Sequence, residues 1–539
     1  MNNLQGELFF VWIVATPAAC ALGAWLARRY RAALLPLMRA PAPTPGGARG
    51  EALAATTGAA SATVAMPAWH APAQPTLTAW QRAEWRLIAL LVGLSALIAL
   101  TDGVITESLV SEGDWRWRRM LLLAALLAWP VLPAIGALRR WSRTRLVLAL
   151  TLWFGAALVL AMLRSTEAQS AGLVVQWLLW QMGPPTLAFL LLTLPRTRAA
   201  APWLWPPLAL LTLAALLGLD LLGWFVNSGS ALVPALVQHV KPIWAFAGFA
   251  LAAVALAWWP VQRFAHALAR AYARGWVSDL MVLFFAAWAL TLSFDALASG
   301  PLVLLALLWI PLALWLLRQL RPGTAPTPAP PTLLVLRVFK QDAKVNALFE
   351  DVVERWRVVG NTVLIAGTDL VDQTLDVADL FDFLDERLAE RFVRDASQVS
   401  TRIASFDWMP DADGRWRVNE CYCHDSTWQV ALAALVQVAD RVLMDLRGFQ
   451  AHNAGCRFEL GVIARAPHVQ RVVVLTDPST DKVVAQSDAA AGPPGRFVWI
   501  ELPADGARAR REVTRRVRAA LVGAVDESPH VGPLAARPS

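Results

Sequence analysis

The chain has 539 residues, 57% of them hydrophobic, with a formal net charge of +8. Soluble globular chains are about 45–50% apolar, so composition excludes a wholly soluble protein. Four cysteines (Cys20, Cys421, Cys423 and Cys456) are too few for a disulfide scaffold, and the excess charge is nearly all Arg in short loops beside apolar runs, the positive-inside pattern, so no nucleic acid is expected as a partner.

About nine apolar runs fill residues 1–320, near 8–27, 86–102, 120–138, 145–163, 171–194, 203–226, 241–259, 277–297 and 301–317. Their length suits a bilayer core of roughly 30 Å. The first run lacks a basic start and is followed by "ARRYR", which reads as a stop-transfer anchor and not a signal peptide. Residues 41–80, rich in Ala, Pro, Thr and Gly, are expected to form a disordered loop. With nine crossings, the Arg clusters at 28–31, 139–145, 196–198, 262–274 and 318–321 share one side. That side should be cytoplasmic, which puts the N-terminus outside a multi-pass inner (plasma) membrane and the C-terminal domain inside. The loop at 114–119 carries three Arg on the other side, beside Asp102, Glu107, Glu112 and Asp114.

Gln176, Gln181, Asp220, Lys241, Asp279 and Asp295 interrupt the apolar runs, and Asp220 looks the deepest. "QMGPP" at 181–185 predicts a kink. Without an internal repeat or a matched pair of broken helices, anchoring or sensing is expected over transport.

A Pro-rich linker at 321–332 leads into a domain of soluble composition at 333–523, followed by a flexible tail at 524–539. Buried strands are predicted at 332–339, 361–367, 441–447, 470–477 and 496–502. Helices are predicted at 344–360, 376–393, 426–440, 454–466 and 507–523, and a hairpin at 402–422 turning at "DADG". Buried strands alternating with helices imply a doubly wound parallel α/β sheet, here expected to be flavodoxin-like with a β-hairpin insert. Ligands of such sheets bind at the strands' carboxyl ends, after "LRVF", "VLIAG", "VLMD" and "VVVLTD". No GxGxxG or Walker pattern stands there.

The stretch "VLMDLRGFQAHNAGCRFEL" resembles the part of TIR domains that carries a Cys-x-x-Glu-Leu motif, here Cys456, Glu459 and Leu460. Ala454 and Gly455 replace the family's usual Ser and Trp, and Lys340 and Gln341 replace the Ser and Tyr after its first strand. The resemblance implies that Glu459 is the catalytic acid of an NAD glycohydrolase, with NAD as substrate and no cofactor. It would stabilise the oxocarbenium-like state as nicotinamide leaves. Arg447 would grip phosphate and Asp445 a hydroxyl, with Gly448, Asn453 and Cys456 completing the ligand-binding set. Each residue has a structural alternative. Glu459 suits a helix start, Asn453 a helix cap, and Asp445 and Arg447 an ion pair. A non-enzymatic module that self-associates at the bilayer stays open, as does a transporter with a regulatory domain.

In "NECYCHDSTW", Cys421, Cys423 and His424 with Cys456 raise a zinc site. The one-residue Cys spacing argues instead for buried thiols on one side of a strand, and no metal is expected. Asp425 is expected to cap the helix that follows. The basic helix at 507–523 is read either as a solvated face or as a contact for anionic lipid headgroups.

Overall fold

The computed structural model describes residues 3–39, 74–110, 115–164, 171–194, 197, 200–230, 233–234, 240–320, 329–337, 351–366, 377–424, 427–502 and 507–523. Most of the 41–80 loop, most of the 321–332 linker, Asp425 and the tail lie outside the described residues.

The N-terminal part is helical: α1 (Asn3–Arg39), α2 (Leu77–Val110), α3 (Trp117–Leu127), α4 (Val131–Leu138), α5 (Arg143–Arg164), α6 (Ala171–Leu192), α7 (Ala201–Asn227), α8 (Pro242–Ala273), α9 (Asp279–Ser299), a 3-10 run (Pro301–Leu308) and α10 (Trp309–Leu320). Eight spans in this bundle are long and apolar enough to cross a membrane. The predicted 120–138 span is two helices, α3 and α4, parted at Pro130, which has no N–H to continue the ladder. The predicted 171–194 span is α6, a continuous helix through Pro184 and Pro185, so the expected kink does not break it. Gln176, Gln181 and the two prolines keep α6 outside the eight.

Several helices are longer than a bilayer needs. At 1.5 Å per residue, α1 with its 37 residues spans roughly 55 Å. The surplus projects into the α/β domain. Tyr30 and Leu34 of α1 pack with Phe392 and Tyr422, and Trp80 of α2 packs edge-on to Trp356 at 5.5 Å. Helix α9 is the centre of the bundle, with 72% of its span buried, more than any other of the eight. Its Ala287, Leu290 and Phe294 meet α1, and its Phe284, Trp288 and Leu292 meet α2.

Helices α7 and α8 cross closely at Gly218. A Cβ there would lie 2.6 Å from the Phe249 carbonyl oxygen and 2.7 Å from Ala253 Cβ. Backbone cannot yield as a flexible side chain can, so Gly218→Ala must part the helices. An expected loss of about 1–3 kcal/mol should appear as a lower thermal midpoint of the detergent-solubilised protein.

The C-terminal part holds seven parallel strands: β1 (Thr332–Arg337), β2 (Asn361–Ala366), β3 (Phe392–Val393), β4 (Val418–Cys423), β5 (Arg441–Asp445), β6 (Arg471–Thr476) and β7 (Phe497–Glu501), in the order β3-β4-β2-β1-β5-β6-β7. Helices α11 (Val377–Leu384), α12 (Gln398–Ala404), α13 (Trp428–Val438), α14 (Ala454–Arg465), α15 (Lys482–Ala489) and α16 (Ala507–Val522) complete it. Alternate strand residues feed two cores. Leu334, Val363, Val442 and Val472 lie under α12–α15, whereas Leu333, Leu364, Leu443 and Val473 lie under α16 and Trp356. Both faces are covered, as an all-parallel sheet requires.

The strand order differs from the flavodoxin-like 2-1-3-4-5. Chain laid after β2 adds β3 and β4 outside it before crossing to β5. Without the two-residue β3, the order is the 3-2-1-4-5-6 of doubly wound dinucleotide-binding sheets. There is no hairpin insert. "DADG" does turn, with Gly414 at φ +82 and its N–H on the Asp411 carbonyl at 2.9 Å, but 402–404 is helix and 418–423 is a parallel strand. The predicted 376–393 helix ends at Leu384 in a Schellman cap. Arg387 N–H bonds the Asp382 carbonyl, Glu386 N–H bonds the Phe383 carbonyl, and Glu386 sits at φ +60.

Candidate functional site

The predicted ligand residues divide into two groups. Asp445 is buried at the carboxyl end of β5 and receives Arg447 twice, Nε to Oδ1 at 2.9 Å and Nη2 to Oδ2 at 2.6 Å. Gly448, at φ +72, donates its N–H to Asp477 Oδ1 at 3.1 Å. Ser479 Oγ and Thr480 Oγ1 donate to the same oxygen, each at 2.8 Å. Burial works to raise the Asp477 carboxyl, but these donors outweigh it and hold it below the usual carboxylate range. Asn453 precedes α14 without capping it. Its Oδ1 accepts from Gln450 N–H at 2.7 Å. These residues form one cross-tied loop beside β5 and β6. The strand order reverses between β1 and the neighbouring β5. The turns after "LRVF" and "VLIAG" lie outside the described residues.

Cys456 and Glu459 lie instead on the buried face of α14 with Leu460 and Ile463. Burial, and then the Glu459 charge, push the Cys456 thiol up to about 12, so it stays protonated. Glu459 is 5% exposed and its Oε2 has no hydrogen-bond partner. Burial pushes its carboxyl up to about 8, so it too is mostly protonated at neutral pH. Among the described residues, no hydrogen bond or ion pair joins Glu459 to Asp445, Arg447, Gly448 or Asn453.

Cys421 and Cys423 are buried with their sulfurs 3.6 Å apart, and Cys456 shares their core. Among the described residues no group of three or more His, Cys, Asp or Glu is placed to hold a metal ion. Asp220, expected to be deep, is exposed on α7, and Gln176 is exposed on α6, so they share no cavity and the transport reading weakens. Gln181 and Asp295 are buried together, the Gln181 amide donating to Asp295.

Sequence reasoning missed the densest polar constellation, where the domain meets the bundle. Asp279 opens α9. Arg357, just before β2, donates to its two oxygens at 3.1 and 3.2 Å, and Arg415 donates to Oδ1. Ser278 Oγ donates to Asp413 at 2.6 Å and also caps α9 by accepting from Met281 N–H. Arg415 Nε reaches Asp413 at 2.9 Å. Arg417 binds Asp411, Asp407 and the Tyr272 carbonyl. Ala412 N–H donates to the Gly275 carbonyl at 2.8 Å and Arg355 to the Arg139 carbonyl at 2.9 Å. Domain donors thus meet the carbonyl ends of α4 and α8, and an acid at the start of α9 meets domain arginines. All are arrangements that the helix dipole favours. The sequence signals were Asp279 interrupting an apolar run and Asp411, Asp413, Arg415 and Arg417 close together in "DADGRWR".

The basic helix α16 buries its apolar face and leaves Glu512, Arg515 and Arg516 exposed. Val513, Val517 and Leu521 pack on the sheet, and Arg518 lies 4.3 Å from the Trp80 ring and 3.7 Å from Glu84.

No protein-family model, curated protein or solved structure matches this chain. Its long apolar helices and its C-terminal sheet define it as a multi-pass membrane protein with a parallel α/β domain.

Proposed function

We propose that the protein is a membrane-tethered signalling module whose cytoplasmic parallel α/β domain binds a nucleotide and is coupled to the bundle through Asp279. The observation that carries this is the grip of Arg357 and Arg415 on Asp279 at the head of the most enclosed helix. A mere tether needs only a linker. A buried ion-pair network between helix ends and the strand β2 and β4 entries makes bundle movement felt in the sheet. The cytoplasmic side is supported by the Arg clusters near the domain. Nine crossings are supported by alternation. The ends of α1, α4 and α8 and the starts of α2, α7 and α9 all contact the domain. Antiparallel α5 and α6 supply the intervening pair, with Arg143 donating to the Leu190 carbonyl.

Nucleotide binding by the full-length protein in lipid nanodiscs tests this. NAD or ADP-ribose should bind, Asp445→Asn should weaken binding at least tenfold, and Asp279→Ala should shift the affinity roughly 5–150-fold, the usual range of coupled sites. If no nucleotide binds, the non-enzymatic, self-associating module takes its place.

A second reading, NAD hydrolysis, is carried by the Cys456–Leu460 motif, in which Glu459 as carboxylate would stabilise the oxocarbenium-like state as nicotinamide leaves. Burial, which raises that carboxyl to about 8, works against it at neutral pH. NAD turnover should then fall at least a hundredfold in Glu459→Gln. Equal turnover in the variant removes Glu459 from the chemistry.

A further inference from the structure

Two acids lie buried in the bundle about 24 Å along α9 from the domain clamp, 16 residues beyond Asp279. Asp102 of α2 is fully buried and no donor reaches either of its oxygens. Asp295 of α9 lies within hydrogen-bonding reach of it and of the Ser299 hydroxyl one turn on, and no donor meets its Oδ2 at full hydrogen-bond geometry. The Gln181 amide, itself buried on α6, supplies the other Asp295 oxygen. Thr106 adds a separate observation. It lies one turn beyond Asp102 on the same helix face, is 8% exposed, and its hydroxyl has no partner. Threonines inside helices can bond the carbonyl a turn back, as Thr151, Thr212 and Thr291 do here, whereas Thr186 of α6, like Thr106, has no partner.

The nearest charges are already committed. Glu107 accepts from Arg116 N–H at 3.1 Å and pairs with Arg119 at 3.4 Å. Among the described residues, α6 and α10 bring no charged side chain to the pair, and Trp309 of α10 donates to Thr101 at 2.8 Å. Two carboxylates facing each other among apolar side chains, with no cation between them, repel strongly. One hydrogen between them converts that repulsion into a strong O–H···O bond and supplies the missing donor.

We propose that Asp102 and Asp295 form a proton-binding site in which one proton is held between the two carboxyls, with Gln181 fixing Asp295 and the Thr106 hydroxyl flanking Asp102. The proton enters as H⁺ from water and leaves as H⁺, and no other bond changes. The site is independent of what the α/β domain binds.

Infrared spectroscopy of the full-length protein in nanodiscs tests it. The difference between wild type and Asp102→Asn/Asp295→Asn at neutral pH should contain a protonated carboxyl C=O band that shifts in D2O. If the double variant does not assemble, wild type labelled with 13C at the Asp carboxyls is compared with unlabelled protein at about pH 8. That leaves Glu459 bands unmoved and lies above the value of about 7 to which burial raises Asp411. A protonated Asp band supports the site. Carboxylate bands alone overturn it, as does a thermal midpoint raised by sodium but not by choline, which would assign the pair to a metal cation.

Discussion

Asp279→Ala is expected to loosen the α/β domain from the bundle while each part keeps its own core. Removing the carboxylate leaves Arg357 and Arg415, whose side chains are 8% and 4% exposed, without the anion between them. Arg357 keeps Glu354 at 3.0 Å and Arg415 keeps Asp413 at 2.9 Å, so neither cation is stranded. Breaking a fully buried pair costs about 3–5 kcal/mol. The Asp279 side chain is 36% exposed, and solvent screening reduces the expected loss of docking to about 1–3 kcal/mol. The measurement is dissociation of the domain from the bundle after cleavage at a specific protease site placed in the 321–332 linker, where Arg321 precedes Pro322 and resists trypsin. Dissociation should quicken at least fivefold. Asp279→Asn keeps the shape and one acceptor and should fall between the two.

Glu459→Gln is expected to abolish a pH dependence of stability. The ordinary value for this carboxyl is 4.5 and burial raises it to about 8. Between those values the folded protein holds a proton that the unfolded chain releases. Folding then takes up a proton, so stability falls as pH rises from 4.5 towards 8 and levels off above. The full span is on the order of a few kcal/mol. Gln cannot ionise, so the variant should lose the Glu459 share of the slope, while Asp411, raised to about 7, contributes equally to both proteins. A buried amide without partners lowers the variant's stability by about 1–3 kcal/mol at every pH, but it leaves the slope untouched. Urea midpoints at pH 5 and pH 8 give the comparison. Equal slopes in both proteins would mean that Glu459 is solvated in the folded state.

Much of the architecture was legible because burial on both sides writes strands as unbroken apolar runs, as in "LLVL", "VLM" and "VVVL". Where that signal fails, so did the prediction. Helix α15, "KVVAQSDA", has too few apolar residues to show a stripe, and β3 has only two residues. The hairpin was inferred from the turn at "DADG", but the residues after that turn reach bundle groups, Arg415 to Asp279 at a separation of 136 residues and Arg417 to Tyr272 at 145. No local pattern encodes partners so distant. Likewise Asp220 looked deep because it is flanked by leucines, yet a helix has an outer face, and Asp220 is on it. The Cys456–Leu460 spacing was readable, but the burial of Glu459 depends on how α14 lies on the sheet.

Hydrogen exchange at residues 411–417 in the full-length protein in nanodiscs tests the coupling of bundle and domain most directly. In the wild type the Ala412 and Trp416 amides, bonded to the Gly275 and Arg357 carbonyls, should exchange slowly. Asp279→Ala should speed both at least tenfold while β5 stays protected. Equally fast exchange in both proteins would contradict the clamp and leave the bundle as an anchor alone.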